Sequence, residues 1–221
     1  MSVLTFSGWG QPADALSHAL QLPDAACFDY SQYAGLDAAI DALRGTRAGH
    51  VVAWSLGGQL ALHAMARGAL LADRLTLLGV PFQFVQSDDY THAMDRFTFY
   101  TFRDNYARDA ARTASRFQGL VAKGDSRFRQ VMAGFRSHPH IEDTTRWLPW
   151  LHALDDAPVS AITLAGVPAT TIIHGSNDGI VPLAQTQALQ AAMPHATVEV
   201  WEGAAHAPHL HDAQRLRAAL C

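Results

Sequence analysis

The stretch HVVAWSLGGQLALHAM, His50–Met65, places a serine between an apolar run and a helical pattern. The run His50–Trp54 is apolar after its first residue, as expected for a strand covered on both faces of a sheet. The run Gly58–Ala69 carries its apolar residues at helical spacing. Ser55 stands at the junction, and the glycine pair after it lets the backbone pack closely there. The stretch therefore predicts a sharp turn that exposes the Ser55 hydroxyl beyond the end of the strand.

Alternating strand and helix patterns extend on both sides of this turn. Five further apolar runs predict strands at Val3–Phe6, Ala26–Phe28 with Tyr30, Arg74–Val80, Ala169–His174 and Thr197–Trp201. Further helical patterns cover Ala13–Leu20, Gly35–Arg44, Leu183–Met193 and Asp212–Leu220. This alternation predicts an α/β fold with a mostly parallel central sheet and helices on both faces.

The middle of the chain has a different pattern, with helical periodicity and no convincing strand from about Phe82 to Leu154. Asp88–Arg116 and Ser126–Arg136 predict helices, and residues 136–150 interrupt the pattern. The segment holds ten basic and eight acidic residues, a charge of +2, whereas the remainder carries −6. We expect a single domain over residues 1–221 with a helical lid inserted at approximately 82–154.

Composition narrows the class of protein further. The chain has 221 residues and a net charge of −4, which argues against a whole-surface nucleic-acid binder. Two cysteines, Cys27 and Cys221, are too few for a disulfide framework, so we expect a reducing, cytoplasmic location, with a bridge between the two left open. No signal peptide and no membrane-spanning run is visible in the sequence, so we expect no membrane partner.

Ser55 has two interpretations on its own stretch, a helix N-cap or a nucleophile. A serine nucleophile needs a histidine base and a carboxylate that orients the histidine. Asp178 follows the strand TTIIH, and His206 follows the strand VEVW. Because parallel strands end on the same edge of a sheet, the three side chains are predicted to meet there. We therefore predict a Ser55–His206–Asp178 catalytic triad.

Other acids and histidines offer alternatives to these assignments. Asp155 and Asp156 are rival acids, but neither follows a strand. His209 and His211 stand close to His206 and raise the question of a metal, yet no carboxylate or cysteine cluster with ligand spacing accompanies them. We expect no metal, a surface or helix-entry position for both histidines, and a structural role for His174.

An oxyanion hole needs two backbone N–H groups near the nucleophile. The first is expected from Leu56, directly after Ser55. The second is expected from Trp9, which follows the first strand in the glycine-flanked sequence Gly8–Trp9–Gly10. The Trp9 indole is predicted to line a substrate pocket, with simple packing as the alternative.

The motifs together resemble a known family. AWSLGG at Ala53–Gly58 resembles the G-x-S-x-G nucleophile elbow of α/β-hydrolases, with Ala53 in place of the first glycine. GWG at Gly8–Gly10, HGSNDGIVP at His174–Pro182 and GAAHAP at Gly203–Pro208 narrow the resemblance to the BioH-like and BioG-like pimeloyl-ACP methyl ester carboxylesterases of biotin synthesis. The early motifs are similar to the BioG type and the later ones to the BioH type. The resemblance implies a demethylating serine esterase without a cofactor.

The same resemblance implies an acyl carrier protein as partner. RDAARTASRF is similar to the family's cap segment, and the resemblance assigns carrier contacts to Arg112, Arg116 and Arg129. Arginines spaced four apart share one helix face, although such a stripe is also typical of a solvated surface. Four lid aromatics are candidates for an acyl pocket, although core packing is the more common role of such residues: Phe82, Phe84, Phe117 and Trp147.

Two other functions compete with this prediction. One is a general short-chain carboxylesterase or thioesterase that uses no carrier. The other is a non-catalytic α/β-hydrolase-fold protein that binds a ligand. We expect a monomer with no nucleic-acid partner, and the complete set of serine, acid and histidine argues for an enzyme.

Overall fold

The computed structural model describes residues 2–220, which form a six-stranded sheet with helices packed against it. The strands are β1 (Val3–Phe6), β2 (Ala26–Cys27), β3 (Thr46–Trp54), β4 (Leu70–Leu78), β5 (Ala169–Gly175) and β6 (Thr197–Trp201). Their order across the sheet is β2-β1-β3-β4-β5-β6, and every neighbouring pair is parallel. The predicted α/β fold with a parallel sheet is confirmed.

The helices of the described residues connect these strands. They are α1 (Ala15–Ala19), α2 (Leu36–Ala42), α3 (Leu56–Ala66), α4 (Arg96–Arg108), α5 (Ala110–Ala122), α6 (Phe128–Ser137), α7 (Thr144–Asp156), α8 (Ala184–Ala192), α9 (Pro208–His211) and α10 (Ala213–Leu220). Short 3-10 turns cover Tyr30–Gln32 and Val159–Ala161. Tyr30 thus belongs to a 3-10 turn rather than to the predicted second strand.

The strand order creates a switch point between β1 and β3. From β1 the chain moves outward to β2, and from β3 it moves the other way through β4, β5 and β6. At such a point the loops after the two strands separate and leave a crevice at the carboxyl edge of the sheet. The loop that begins at Ser7 and the turn at Ser55 border this crevice, because Phe6 pairs with Ala53 at the strand ends.

Between β4 and β5 the chain forms four helices, α4–α7, which we call the helical segment (Arg96–Asp156). The prediction of one helical pattern over Asp88–Arg116 is wrong in detail, because α4 starts at Arg96 and the helix breaks at Asp109. The Asp109 carboxylate accepts the N–H of Arg112 and so caps a new helix. That the segment acts as a lid stays a prediction.

The interruption predicted for residues 136–150 ends earlier than expected. Asp143 accepts the N–H groups of Thr145 and Arg146, and this cap starts α7 at Thr144. Pro149 lies inside that helix. The helix continues through Pro149 although this residue has no N–H to donate to the preceding turn, so the interruption does not reach residue 150.

Among residues 2–220, no helix combines the length and apolar character that crossing a bilayer requires. Cys27 is half-buried, with its sulfur 3.1 Å from the Ser17 hydroxyl oxygen. Cys221 lies outside the described residues, so the structure does not test a bridge between the two cysteines.

Candidate active site

Ser55 occupies a strained backbone position between β3 and α3. Its φ is 53° and its ψ is −124°, a region that L-residues with a side chain rarely adopt. The turn is tight because a Cβ on Gly57 would lie 2.4 Å from the carbonyl oxygen of Ser7, and one on Gly58 would lie 2.2 Å from Val80 Cγ2. Gly57 therefore lets α3 begin directly against the end of β1, and Gly58 lets it pack against the residues that follow β4.

The structure brings Ser55, His206 and Asp178 together. His206 Nε2 lies 2.9 Å from Ser55 Oγ, and His206 Nδ1 lies 2.7 Å from Asp178 Oδ2. All three residues are at least nine-tenths buried. Because a carboxylate only accepts hydrogen bonds, Nδ1 of His206 carries the hydrogen and Nε2 is free to accept the serine proton.

Asp178 is held in its orientation by the turn that follows β5. Its other oxygen, Oδ1, accepts the N–H groups of Ile180 and Val181, each at 2.8 Å. Burial by itself raises the pKa of Asp178, but the charge and hydrogen bond of His206 and the Val181 amide outweigh burial and hold that pKa below its ordinary value. Asp178 is therefore an ionised, fixed partner for the imidazole at neutral pH.

His174 lies on the other side of the same carboxylate. Its Nε2 is 2.9 Å from the carbonyl oxygen of Val181 and 3.5 Å from Asp178 Oδ2. Burial lowers the pKa of His174, and this outweighs the opposing charge of Asp178. A neutral His174 packed against the turn fits the structural role expected from sequence.

His209 and His211 are buried, so the expectation of surface positions is wrong. They are 2% and 7% exposed, although both lie in the short helix α9, in agreement with a helix-entry position. His209 packs on Trp54 at 4.4 Å between ring centroids, and burial followed by the charge of His206 lowers its pKa to about 3. His211 pairs with Asp125, at 2.8 Å between Nδ1 and Oδ1.

The amide groups predicted for an oxyanion hole lie on the two adjoining backbones at the switch point. Leu56 is the first residue of α3, where a helix leaves its N–H groups without helical partners. Within residues 2–220 neither Leu56 nor Trp9 uses its backbone N–H in a hydrogen bond to protein. Both amides are thus available for a ligand oxygen, and the assignment to an oxyanion hole stays a prediction.

Trp9 is fixed by the helical segment rather than by the sheet. Its indole N–H donates to the carbonyl oxygen of Trp147 at 3.1 Å, and its ring meets Tyr106, Phe117 and His140 edge-on. Trp9 is 4% exposed. The aromatic contacts hold the loop after β1 in one position, because edge-to-face ring pairs are directional.

A narrow apolar cavity of about 70 Å³ opens next to Ser55. Among the described residues its lining includes no charged side chain and two polar ones, Ser55 and Thr98. The complete lining is Trp9, Ser55, Phe84, Met94, Thr98, Phe102, Phe117, Leu120, Leu151, Leu154 and Ile180. Of the aromatic residues predicted for an acyl pocket, Phe84 and Phe117 are present, whereas Phe82 and Trp147 are not.

The arginines predicted to contact a carrier lie on the surface of the helical segment. Arg112 and Arg116 are exposed on α5, and Arg129 is exposed on α6. Within residues 2–220 none of the three forms an ion pair with a carboxylate. The rival acids Asp155 and Asp156 lie in α7, and Asp155 accepts the hydroxyl hydrogen of Tyr100.

Sequence reasoning missed most of the cavity wall and one buried carboxylate. Met94, Phe102, Leu151 and Ile180 come from four separate segments, and no motif distinguishes them from ordinary core residues. Asp125 was counted only as a charge, yet it is 6% exposed and bonds to the loop that carries His206. A small clue was its position between Gly124 and Ser126, which is typical of a turn that caps a helix.

Comparison with known proteins establishes the family of the chain. A family model described as "Alpha/beta hydrolase family" matches residues 3–219, and the chain belongs to this family. A pimeloyl-[acyl-carrier protein] methyl ester esterase of Xanthomonas campestris pv. campestris is 33% identical over 176 residues, which cover 76% of this chain and 68% of that protein. The biotin biosynthesis bifunctional protein BioHC of Teredinibacter turnerae is 32% identical over 174 residues, 72% of this chain.

The length of the match differs between these relatives. The matched region spans only 30% of the Teredinibacter turnerae protein.

Among solved structures, a bromoperoxidase from Bacillus anthracis has a TM-score of 0.80 at 16% identity, covering 99% of this chain and 90% of that one. A hydrolase from Oleispira antarctica has a TM-score of 0.78 at 15% identity, covering 99% and 89%. At these identities the structures establish the fold alone.

Proposed function

We propose that this protein is a serine carboxylesterase that hydrolyses the methyl ester of a pimeloyl group carried on acyl carrier protein, in biotin synthesis. The observation that carries the proposal is the 2.9 Å contact of His206 Nε2 with Ser55 Oγ beside an apolar cavity. The names of the relatives support the substrate. The reaction uses protein groups alone, and its place in biotin synthesis implies a cytoplasmic location.

In the first half of the reaction His206 takes the proton of Ser55 as the oxygen attacks the ester carbonyl. Asp178 holds the imidazole and stabilises its positive charge. The N–H groups of Leu56 and Trp9 receive the negative oxygen, and each such donor contributes about 3–4 kcal/mol in comparable sites. His206 then gives its proton to the departing methoxide, so methanol leaves and the acyl group stays on Ser55.

In the second half water repeats the attack. His206 removes a proton from the water as it adds to the acyl-enzyme, and the proton then returns to Ser55 when the bond to the acyl group breaks. The product is a free carboxylic acid. The cavity lining lacks a charged group, and this favours a neutral ester over an ionised carboxylate, because burying an unpaired charge is costly.

The surface of the helical segment supports a carrier-bound substrate. Arg112 and Arg116 stand one turn apart on α5, the helix that also supplies Phe117 and Leu120 to the cavity. The family resemblance implies an acidic carrier protein that meets arginines of this segment. Positive charge near the cavity increases the rate of encounter and orients an acidic partner.

The proposed chemistry is tested with Ser55→Ala and p-nitrophenyl butyrate. We expect the substitution to reduce turnover by a factor of at least about 10⁴, since the nucleophile is absent. Ser137→Ala, which removes a hydroxyl that bonds only within α6, is the matched control and keeps wild-type turnover. Fluorophosphonate labelling of the wild type and not of Ser55→Ala supports a nucleophile, while an unlabelled wild type indicates a binding protein.

The carrier is tested by reversing charge at Arg112 and Arg116 together. We expect kcat/KM for pimeloyl-carrier methyl ester to fall about 10–100-fold, while p-nitrophenyl butyrate turnover changes less than twofold. Arg47→Glu is the matched control, because Arg47 lies near the start of β3, at the opposite end of the strand from Ser55. Equal losses on both substrates favour a general esterase or thioesterase without a carrier.

The substrate itself is tested by complementation of a bacterial strain that lacks its biotin-pathway esterase. We expect growth without biotin when the wild-type gene is supplied and none with Ser55→Ala. Growth with neither, together with active hydrolysis of p-nitrophenyl butyrate, contradicts the pimeloyl substrate and leaves the esterase chemistry intact.

A further inference from the structure

A second buried carboxylate–histidine pair lies beside the proposed triad. Asp125 stands in the connection between α5 and α6, and its side chain has no exposed surface. Its Oδ1 lies 2.8 Å from His211 Nδ1 and accepts the N–H of Arg127 at 2.7 Å. Its Oδ2 accepts the N–H of Ala205 at 2.9 Å. The carboxylate thus joins the helical segment to both ends of the loop that carries His206.

Neighbouring contacts hold the same loop from the same side. The N–H of Ser126 donates to the carbonyl oxygen of Gly203 at 2.8 Å, and the N–H of His206 donates to the carbonyl oxygen of Val121 at 3.2 Å. Arg127 donates through Nη1 to the carbonyl oxygen of His211. Four of the residues between Gly203 and His211 are therefore bonded directly to residues 121–127.

The position of His206 depends on these bonds, because its ring has to reach two fixed groups. Ser55 is fixed by the turn after β3, and Asp178 by the turn after β5, so the ring has little freedom to compensate for a displaced backbone. Misplacing a reacting group by about 1 Å can cost about 10²-fold in rate. Ala205 directly precedes His206, so the hydrogen bond from its N–H to Asp125 holds the backbone one residue before the base.

We propose that Asp125 is a positioning residue for His206, acting through the Ala205 amide and through His211, so that the connection between α5 and α6 sets the geometry of the catalytic base. This inference rests on the proposed function, since it assigns His206 the role of base. Asp125 touches none of the reacting atoms itself. Its carboxylate accepts hydrogen bonds from three N–H groups, and an ionised carboxylate has enough lone pairs for all three.

The test compares Asp125→Ala with wild type on p-nitrophenyl butyrate. We expect kcat to fall about 10–100-fold with KM changed less than twofold, because the substrate cavity contains no part of Asp125. In Asp125→Asn the amide oxygen can keep the bond from the Ala205 N–H, and the amide NH2 can donate to His211 in its other tautomer. The Arg127 N–H loses its acceptor, but the bond next to His206 is kept, so we expect a loss below about fivefold. His211→Gln is expected to lie between these two variants.

Asp29→Ala is the matched control. Asp29 also joins the sheet to the helical segment, through a 2.8 Å ion pair with Arg146, but has no bond to the His206 loop. We expect its kcat within twofold of wild type. All assays are run well below the unfolding midpoint of each variant, and kcat is referred to the folded fraction measured by circular dichroism.

Two results overturn the inference: a folded Asp125→Ala with wild-type kcat, or an equal loss in Asp29→Ala. If Asp125→Ala does not fold, Asp125→Asn and His211→Gln decide, and wild-type kcat in both overturns it. Failure of the proposed function gives a different result, namely a wild type that neither turns over the ester nor reacts with a fluorophosphonate. An active wild type with a fully active Asp125→Ala refutes only the positioning role.

Discussion

In the sheet, Ser55, Asp178 and His206 each follow the carboxyl end of a strand, whereas the helical segment meets the site through side chains from three of its helices, α4, α5 and α7. The sheet residues are fixed by backbone hydrogen bonds and tight turns, such as the two amides on Asp178. The helical segment instead contributes packing, with Phe102, Phe117 and Leu151 in the cavity wall. The difference predicts that the sheet carries the proposed chemistry and that the helical segment selects the substrate.

Asp125 is the exception to this division, because it belongs to the helical segment and bonds to a loop of the sheet region. Trp9 is the reverse case, a residue of the sheet region held by the carbonyl oxygen of Trp147 in α7. The two regions are therefore joined by contacts in both directions, in addition to others such as the ion pair between Asp29 and Arg146. The predictions below test how far the division holds.

Among the predictions below, Asp178→Asn, in the sheet region, gives the largest expected effect. The amide cannot hold the His206 tautomer with Nδ1 protonated while accepting from Ile180 and Val181, so the base is disabled. We expect kcat on p-nitrophenyl butyrate to fall about 10³–10⁴-fold. Asp156→Asn, at an exposed position of α7, is the control and is expected to stay within twofold of wild type. Comparable losses in both variants would contradict the assignment of Asp178.

The sequence predicted the three sheet residues for a physical reason. A parallel sheet brings every strand end to one edge, so a polar residue directly after a strand is placed by local pattern alone. Asp178 and His206 are 28 residues apart and meet because β5 and β6 are neighbours in the sheet. The same rule located the Gly8–Gly10 loop beside Ser55.

The helical segment could not be predicted in the same way. Which side of each helix faces Ser55 depends on how four helices pack, and apolar residues of the cavity wall have the same periodicity as core residues. The break at Asp109 and the start at Thr144 depend on single capping side chains. His209 and His211 were expected at the surface or at a helix entry, and their burial could not be predicted because it depends on how the helical segment packs against α9.

Acid destabilisation tests both regions at once. Burial, followed by the charge of Arg74, lowers the pKa of His50 in β3 to about 4, and burial lowers the pKa of His140 in the helical segment to about 4. Their unfolded pKa is about 6.5, so the unfolded chain binds protons first as the pH falls. The stability that these two neutral histidines contribute is therefore fully present above about pH 6.5 and is lost as the pH falls from about 6.5 to 4.

We expect the free energy of unfolding, measured with urea, to fall by about 3 kcal/mol for each of these two histidines across this window. The depressed pKa of Asp178 acts at lower pH, since its contribution is lost only below the ordinary carboxyl pKa. We expect His50→Gln to remove the part of the pH dependence that comes from the sheet. We expect His140→Leu to remove the part that comes from the helical segment. An unchanged slope in both variants would assign the acid sensitivity to other groups.

Gly10→Ala tests the contact between the two regions. Gly10 has a φ of +75°, and a Cβ there would lie 1.6 Å from His140 Nε2. Gly45 is the matched control, because its φ is +82° and nothing lies within 4 Å of an added Cβ. We expect Gly45→Ala to cost about 1 kcal/mol of unfolding free energy from strain, and Gly10→Ala about 2–3 kcal/mol from strain and overpacking. Equal losses of unfolding free energy in the two variants would show that the His140 side chain moves aside without an energetic cost.

Phe117→Ala gives the smallest expected effect and tests substrate selection by the helical segment. The ring lines the cavity and packs against Trp9 and Phe102 at 5.5 and 5.3 Å between centroids, so its removal lengthens the space beyond Ser55. We expect the ratio of kcat/KM for p-nitrophenyl octanoate to that for the butyrate to rise about tenfold, equivalent to about 1.4 kcal/mol. Phe128→Ala, at a position 45% exposed and outside the cavity, leaves the ratio unchanged. A ratio that stays constant in Phe117→Ala would place chain-length selection elsewhere and remove the strongest reason to assign selectivity to the helices.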